Sequence, residues 1–204
     1  MFDLQLRKLQ ERLFVPFAKL VGTVASPNQI TFFAFLVGLL CCLSCYLGHN
    51  YLALGLFLLN RCIDALDGGV ARLTEQQSDF GAHFDIITDF TLYALIPISM
   101  NLNSPGNPNI LCILLATYYL NSASIFHLSS LLEKRKAGAA LRNETTSITM
   151  PYGIVEGFET YLVYALLMLF PGYKNELYIV FSNTVFLNIL YRCVWAYREL
   201  SSSN

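Results

Sequence analysis

Asp64-Ala65-Leu66-Asp67-Gly68-Gly69-Val70-Ala71-Arg72, then eight residues, then Gly81-Ala82-His83-Phe84-Asp85-Ile86-Ile87-Thr88-Asp89: this stretch sets four aspartates among strongly apolar runs. A carboxylate in bilayer hydrocarbon costs roughly 2.5–3.5 kcal/mol even on the lenient insertion scale. Four of them are not explained by packing. They call for a polar cavity, a cation, or both.

The surroundings are those of a membrane protein. The chain has 204 residues, of which 55% are hydrophobic and only 13% charged, and its mean hydropathy is +0.49. That is about half the charge of an ordinary globular domain. Apolar runs at Ile30–Leu47, Tyr51–Val70, Gly81–Leu102, Ile110–Leu132, Ile154–Phe170 and Leu177–Tyr197 predict six transmembrane helices. The expected fold class is all-α, with 1–204 forming a single membrane domain and no separate soluble one. Met1–Val21 carries Leu6, Leu9, Leu13, Phe17 and Leu20 at helical spacing, with Arg7, Lys8, Arg12 and Lys19 mostly elsewhere on the wheel. This predicts an N-terminal amphipathic helix lying in the interface, interrupted or kinked near Pro16.

Charge sets the orientation. Six spans put both termini on one side, together with Arg7, Lys8, Arg12, Lys19, Arg72, Lys134, Arg135, Lys136, Arg142 and Arg198. The other side keeps His49, the uncharged Asn101–Asn109 loop and Lys174. The termini and the aspartate end are therefore expected in the cytoplasm. A net charge of −1 gives no reason to expect a nucleic-acid partner. The six cysteines lie in apolar runs without zinc spacing, and read as small buried hydrophobes.

On a helix, Asp64, Asp67, Gly68, Ala71 and Arg72 share one broad stripe, and Gly81, Asp85 and Asp89 form a second on the next helix. Facing each other across a hairpin, the stripes gather four like charges, which divalent cations relieve. The small residues leave space beside the carboxylates, and Arg72 supplies a fork suited to a phosphate oxygen. Carboxylates, space and an arginine together describe a site for a metal-bound diphosphate.

The pattern D-x-x-D-G-x-x-A-R-x8-G-x3-D-x3-D resembles the signature of the CDP-alcohol phosphotransferase family at every specified position, and Pro27-Asn28-Gln-Ile-Thr31 is similar to an element many members carry before the first span. The resemblance implies that Asp64, Asp67, Asp85 and Asp89 serve two Mg²⁺ or Mn²⁺ ions, with Asp89 also the general base. It implies that Gly68, Ala71, Arg72 and Gly81, with Asn28 and Thr31, adjoin the nucleotide donor. The implied reaction is transfer of a phosphatidyl group from CDP-diacylglycerol to the hydroxyl of a polar alcohol, with release of CMP. It is implied to occur in a homodimer among membrane lipids; a bacterial inner membrane is the expected compartment, and an organelle membrane would look the same in sequence. Glycerol 3-phosphate, inositol or its phosphate, and serine are all admissible acceptors. A CDP-choline or CDP-ethanolamine enzyme acting on diacylglycerol uses the same motif.

An ion-coupled transporter would explain the acids, but not Gly68, Ala71, Arg72 and Gly81 at these offsets. Arg61, one turn before Asp64, reads equally as a partner for the acids or as a phosphate ligand. Glu156, Glu159 and Arg142 are candidate acceptor contacts. The acids also suit a helix start, and Arg142 belongs to a basic loop that suits cytoplasmic topology. His83 lies about 200° round the helix from Asp85 and is assigned no role.

Overall fold

The computed structural model describes residues 15–135 and 157–201. After a helical stretch at 15–21, six helices follow: α1 Pro27–Tyr46, α2 Asn50–Leu73, α3 Asp79–Asn103, α4 Pro108–Lys134, α5 Gly157–Leu169 and α6 Lys174–Ser201, the last entered through a 3₁₀ turn at Pro171–Tyr173. Helix accounts for 89% of the described residues, and none of them is in a strand. The six helices overlap the six predicted apolar runs. By length and hydropathy, α1, α4 and the Pro171–Ser201 segment can cross a membrane. Helices α2 and α3 have 24 and 25 residues, about 36 Å at 1.5 Å per residue, but carry the charges. The apolar α5 has 13 described residues. Residues 1–14 of the expected interfacial helix lie outside the described residues.

Local chemistry explains the boundaries. Pro27 starts α1 with its φ already helical, and the Ser26 N–H donates to the Gln29 side chain at 2.9 Å. Gly48, at φ 79°, takes the left-handed conformation that the turn into α2 requires. The Asn103 amide donates to the Tyr46 carbonyl at 2.9 Å, tying the end of α3 to the end of α1. Ser78 caps α3 by accepting from the Gly81 N–H at 3.1 Å. Asn107 caps α4 by accepting from the Asn109 N–H at 3.0 Å.

The chain divides into two compact units. The first comprises Met1–Gly106 and Tyr164–Gly172, the second Asn107–Val163 and Tyr173–Asn204. In the first, α1 packs on both α2 and α3. Ala18 is buried there with Ile30 and Val70. The opposite face of α1 exposes Phe32, Phe33, Leu36, Leu40 and Leu43, an apolar surface suited to lipid. In the second, α4 packs on α6. Arg192 donates to the Asn121 side-chain oxygen at 2.8 Å, and Arg135 to the Leu200 carbonyl at 2.8 Å. All six cysteines are free. Cys41, Cys42 and Cys45 are buried as expected, whereas Cys62, Cys112 and Cys193 are exposed. An apolar residue on a lipid-facing surface needs no burial within the protein, so hydrophobic surroundings in sequence did not decide which way these three point.

Candidate active site

The site is built on the facing ends of α2 and α3. Asp64 and Asp67 are one turn apart on α2, and Asp85 lies in the second turn of α3. Each of the three offers an oxygen lying within 4.8 Å of the others. Asp67 is buried, and its Oδ2 accepts from the Thr31 hydroxyl of α1. One oxygen of Asp85, Oδ1, is buried without a hydrogen-bond partner among the described residues. A buried acceptor left unmade is unfavourable by about 1–3 kcal/mol, and more when charged. Three converging carboxylates, one with an orphaned oxygen, offer the all-oxygen donor set that a hard divalent cation takes. The residues present therefore fit such an ion.

Asp89, one turn beyond Asp85 on α3, takes other partners. Its Oδ1 receives Arg61 Nη2 at 2.8 Å and its Oδ2 accepts from the Tyr93 hydroxyl at 3.1 Å. The same guanidinium reaches Asp64 Oδ2 from Nη1 at 3.5 Å. Arg61 is thus paired with two of the acids. It is itself held through Nε by Asn60 Oδ1 at 2.7 Å. Asn60, 1% exposed, donates in turn to the Ala34 carbonyl at 2.7 Å.

The small residues act at particular places. A Cβ on Gly81 would stand 2.9 Å from Asn28 Oδ1, so glycine leaves room for the Asn28 side chain of α1 at the first turn of α3. A Cβ on Gly68 would meet Arg72 Nη1 at 3.4 Å, which places the arginine fork beside the open side of that glycine. Ala71 and Arg72 are half-buried at the end of α2. Asn28 and Thr31, named from sequence as neighbours of the nucleotide, thus touch the motif at Gly81 and Asp67. Glu159 is half-buried in the first turn of α5, within the second unit. Glu156 and Arg142 lie outside the described residues. His83 is exposed.

Sequence reasoning missed Asn60, Tyr93 and Tyr164. Tyr164 is fully buried, its ring edge-on to Phe57 at 5.9 Å and 6.0 Å from Tyr93. Pro97 has no N–H, so the carbonyl four residues earlier, that of Tyr93, loses its helical donor. The Tyr164 hydroxyl donates to that carbonyl at 2.7 Å. A proline inside α3 was the available signal: it announces a freed carbonyl on the helix that carries the acids.

Fold and site together define an α-helical integral membrane protein with an acidic, cation-competent cluster on a helical hairpin. The chain belongs to the CDP-alcohol phosphatidyltransferase family, whose model matches residues 24–192. These enzymes are transferases of phospholipid biosynthesis and are generally dependent on divalent metal. The chain is 29% identical over 177 residues to the inner membrane protein YnjF of Escherichia coli, covering 87% of this chain and 85% of that one. It is 28% identical over 179 residues to the archaetidylinositol phosphate synthase of Pyrococcus horikoshii, with 86% and 88% covered. Its fold is also that of the Mycobacterium tuberculosis phosphatidylinositol phosphate synthase, solved with CDP-DAG bound. There the TM-score is 0.70 at 14% identity, over 91% of this chain and 94% of that one.

Proposed function

We propose that this protein transfers the phosphatidyl group of CDP-diacylglycerol to the hydroxyl of a polar alcohol, releasing CMP. The observation that carries the reading is the convergence of Asp64, Asp67 and Asp85 within 4.8 Å on a membrane hairpin, in a chain of this family. These three residues would hold the divalent cations, with Asp89 close by. Mg²⁺ or Mn²⁺ bound there would neutralise diphosphate charge and steady the leaving CMP. Asp89 takes the proton from the acceptor hydroxyl. The hydroxyl oxygen then bonds to the phosphorus distal to cytidine, and the bond from that phosphorus to the oxygen of the CMP phosphate breaks. Arg72 faces the nucleotide phosphate, and Gly68, Ala71 and Gly81 leave room for the donor beside Asn28 and Thr31. Glu159, Glu156 and Arg142 are the sequence's candidates for recognising the acceptor.

Helices α2, α3 and α5 complete six spans, with the active site and both termini cytoplasmic in a bacterial inner membrane and the N-terminal segment lying along its surface. The working unit is a homodimer. Inositol phosphate is the first acceptor to test, because two relatives are synthases of inositol phosphate lipids. The experiment is CMP release by the purified protein in detergent, with CDP-diacylglycerol, Mg²⁺ or Mn²⁺, and acceptors added singly. Release that requires one acceptor and stops on chelation supports the reading. Absence of release with every acceptor contradicts it.

A further inference from the structure

The surroundings of Asp89 contain more structure than a lone base requires. Both of its oxygens are engaged, one by a guanidinium and one by a phenol. Each of those partners is itself fixed. Arg61 is oriented by Asn60, and Asn60 by a backbone carbonyl of α1. Tyr93 sits on the one stretch of α3 whose carbonyl is freed by Pro97 and taken by Tyr164. The aromatic rings of Phe57 and Tyr164 pack behind it. Three helices beyond Asp89's own therefore contribute to fixing one carboxylate: α1 through Ala34, α2 through Arg61 and α5 through Tyr164.

From this network we infer that Arg61 and Tyr93 are positioning residues, which hold the Asp89 carboxylate in a single orientation toward the acceptor hydroxyl. The assignment rests on the proposed reading of the site and adds to it the means by which the base is aimed. A carboxylate on a two-torsion side chain would otherwise sample several rotamers. Proton transfer requires the base within hydrogen-bond reach of the hydroxyl, and misplacement by about 1 Å can lower turnover about 100-fold. Two donors from different directions fix both the torsions and the plane of the carboxylate. The guanidinium fork is needed for its shape as well as its charge, because it serves Asn60, Asp89 and Asp64 at once, which an ammonium cannot do in the same geometry.

The test uses the full-length protein in detergent, with CDP-diacylglycerol and Mn²⁺, and compares Tyr93→Phe and Arg61→Lys with the wild type. Tyr93→Phe keeps the ring packing and the carbonyl bonded to Tyr164, and removes only the hydroxyl. Arg61→Lys keeps the charge and removes the fork. Each is expected to lower kcat about tenfold or more; in Tyr93→Phe, whose hydroxyl meets Asp89 and none of the three clustered acids, donor KM and Mn²⁺-dependent CMP affinity are expected within about twofold of wild type. Thermal unfolding of each variant in the same detergent reports any loss of fold, and Tyr93→Phe is the variant least exposed to it. If both variants keep kcat within about twofold of wild type, the positioning role is overturned while the reaction stands. If Arg61→Lys restores full kcat, charge rather than aim is what Arg61 supplies, and its part of the inference falls. If donor KM and CMP affinity weaken in proportion to kcat in Tyr93→Phe, that residue binds donor and does not position the base. No CMP release by the wild type overturns the reading of the site, and this inference with it.

Discussion

The α2–α3 hairpin and the α4–α6 pair both bury polar groups in an apolar setting, and they treat them differently. Along α4 and α6, hydroxyls return to the carbonyls of their own helix: Thr117 to Leu114 at 2.7 Å, Ser122 to Tyr118 at 2.7 Å, Ser182 to Tyr178 at 2.6 Å and Thr184 to Val180 at 2.8 Å. Such bonds satisfy a polar side chain without calling for anything outside the helix. On the hairpin the polar groups are carboxylates drawn from two helices. Among the described residues, Arg61, Thr31, Tyr93 and the Gly68 N–H donate to them, and a buried oxygen of Asp85 has no donor. In a membrane, polarity that closes on its own helix belongs to architecture. The α4–α6 pair also joins polar groups across helices, Arg192 on Asn121 at 2.8 Å, and buries Lys174 Nζ without a partner among the described residues; what sets the hairpin apart is three carboxylates with oxygens within 4.8 Å of one another, the donor set of a cation.

The sharpest way to break this contrast is at Asp89. Asp89→Asn keeps the shape but cannot take up the acceptor proton. Turnover should fall about 10³-fold, with Mn²⁺-dependent CMP binding largely retained. Near-normal CMP release by this variant would remove Asp89 from the base role. Next comes the cluster. Asp67→Asn should lose metal-dependent nucleotide binding, and Thr31→Val, which strips the hydroxyl from Asp67 while keeping its bulk, should weaken Mn²⁺ affinity about 10–100-fold. Calorimetric titration of Mn²⁺ with CMP present measures both, and unchanged affinity in Asp67→Asn would count against a ligand role. Gly81→Ala tests the room left for the Asn28 side chain. The added methyl would stand 2.9 Å from Asn28 Oδ1, and because that side chain can turn aside, stability should fall by only about 0.5–1.5 kcal/mol, read as a lower unfolding temperature in detergent. The smallest effect belongs to the α4–α6 pair. Ser182→Ala removes a bond confined to one helix, so CMP release should stay within about twofold and stability should change by no more than about 1 kcal/mol.

The sequence made the helices legible because apolar length is a one-dimensional property: each run, from Ile30–Leu47 to Leu177–Tyr197, is overlapped by a helix. The meeting of Asp64, Asp67 and Asp85 was legible for a related reason, since residues three and four apart on a helix share a face. What surrounds them was not. Arg61 meets Asp89 across 28 positions, Thr31 meets Asp67 across 36 and Tyr164 meets Tyr93 across 71. Such pairs depend on helix packing, which periodicity does not specify. Arg61 was balanced between two readings because the position of one arginine before one acid fits both. Asp89 was expected beside the cation ligands, and its engagement by Arg61 and Tyr93 from either side carried no local signature. Pro97 did carry one, but only the fold shows which hydroxyl answers the carbonyl it frees.

The most direct test follows the acceptor into lipid. Purified protein is incubated with CDP-diacylglycerol, Mg²⁺ and radiolabelled inositol phosphate, then with each other candidate acceptor in turn, and label is counted in the organic phase. The account predicts metal-dependent transfer of label from one acceptor, matched mole for mole by CMP and absent in Asp89→Asn. CMP released without label entering lipid, or label transferred equally well by Asp89→Asn, would contradict it.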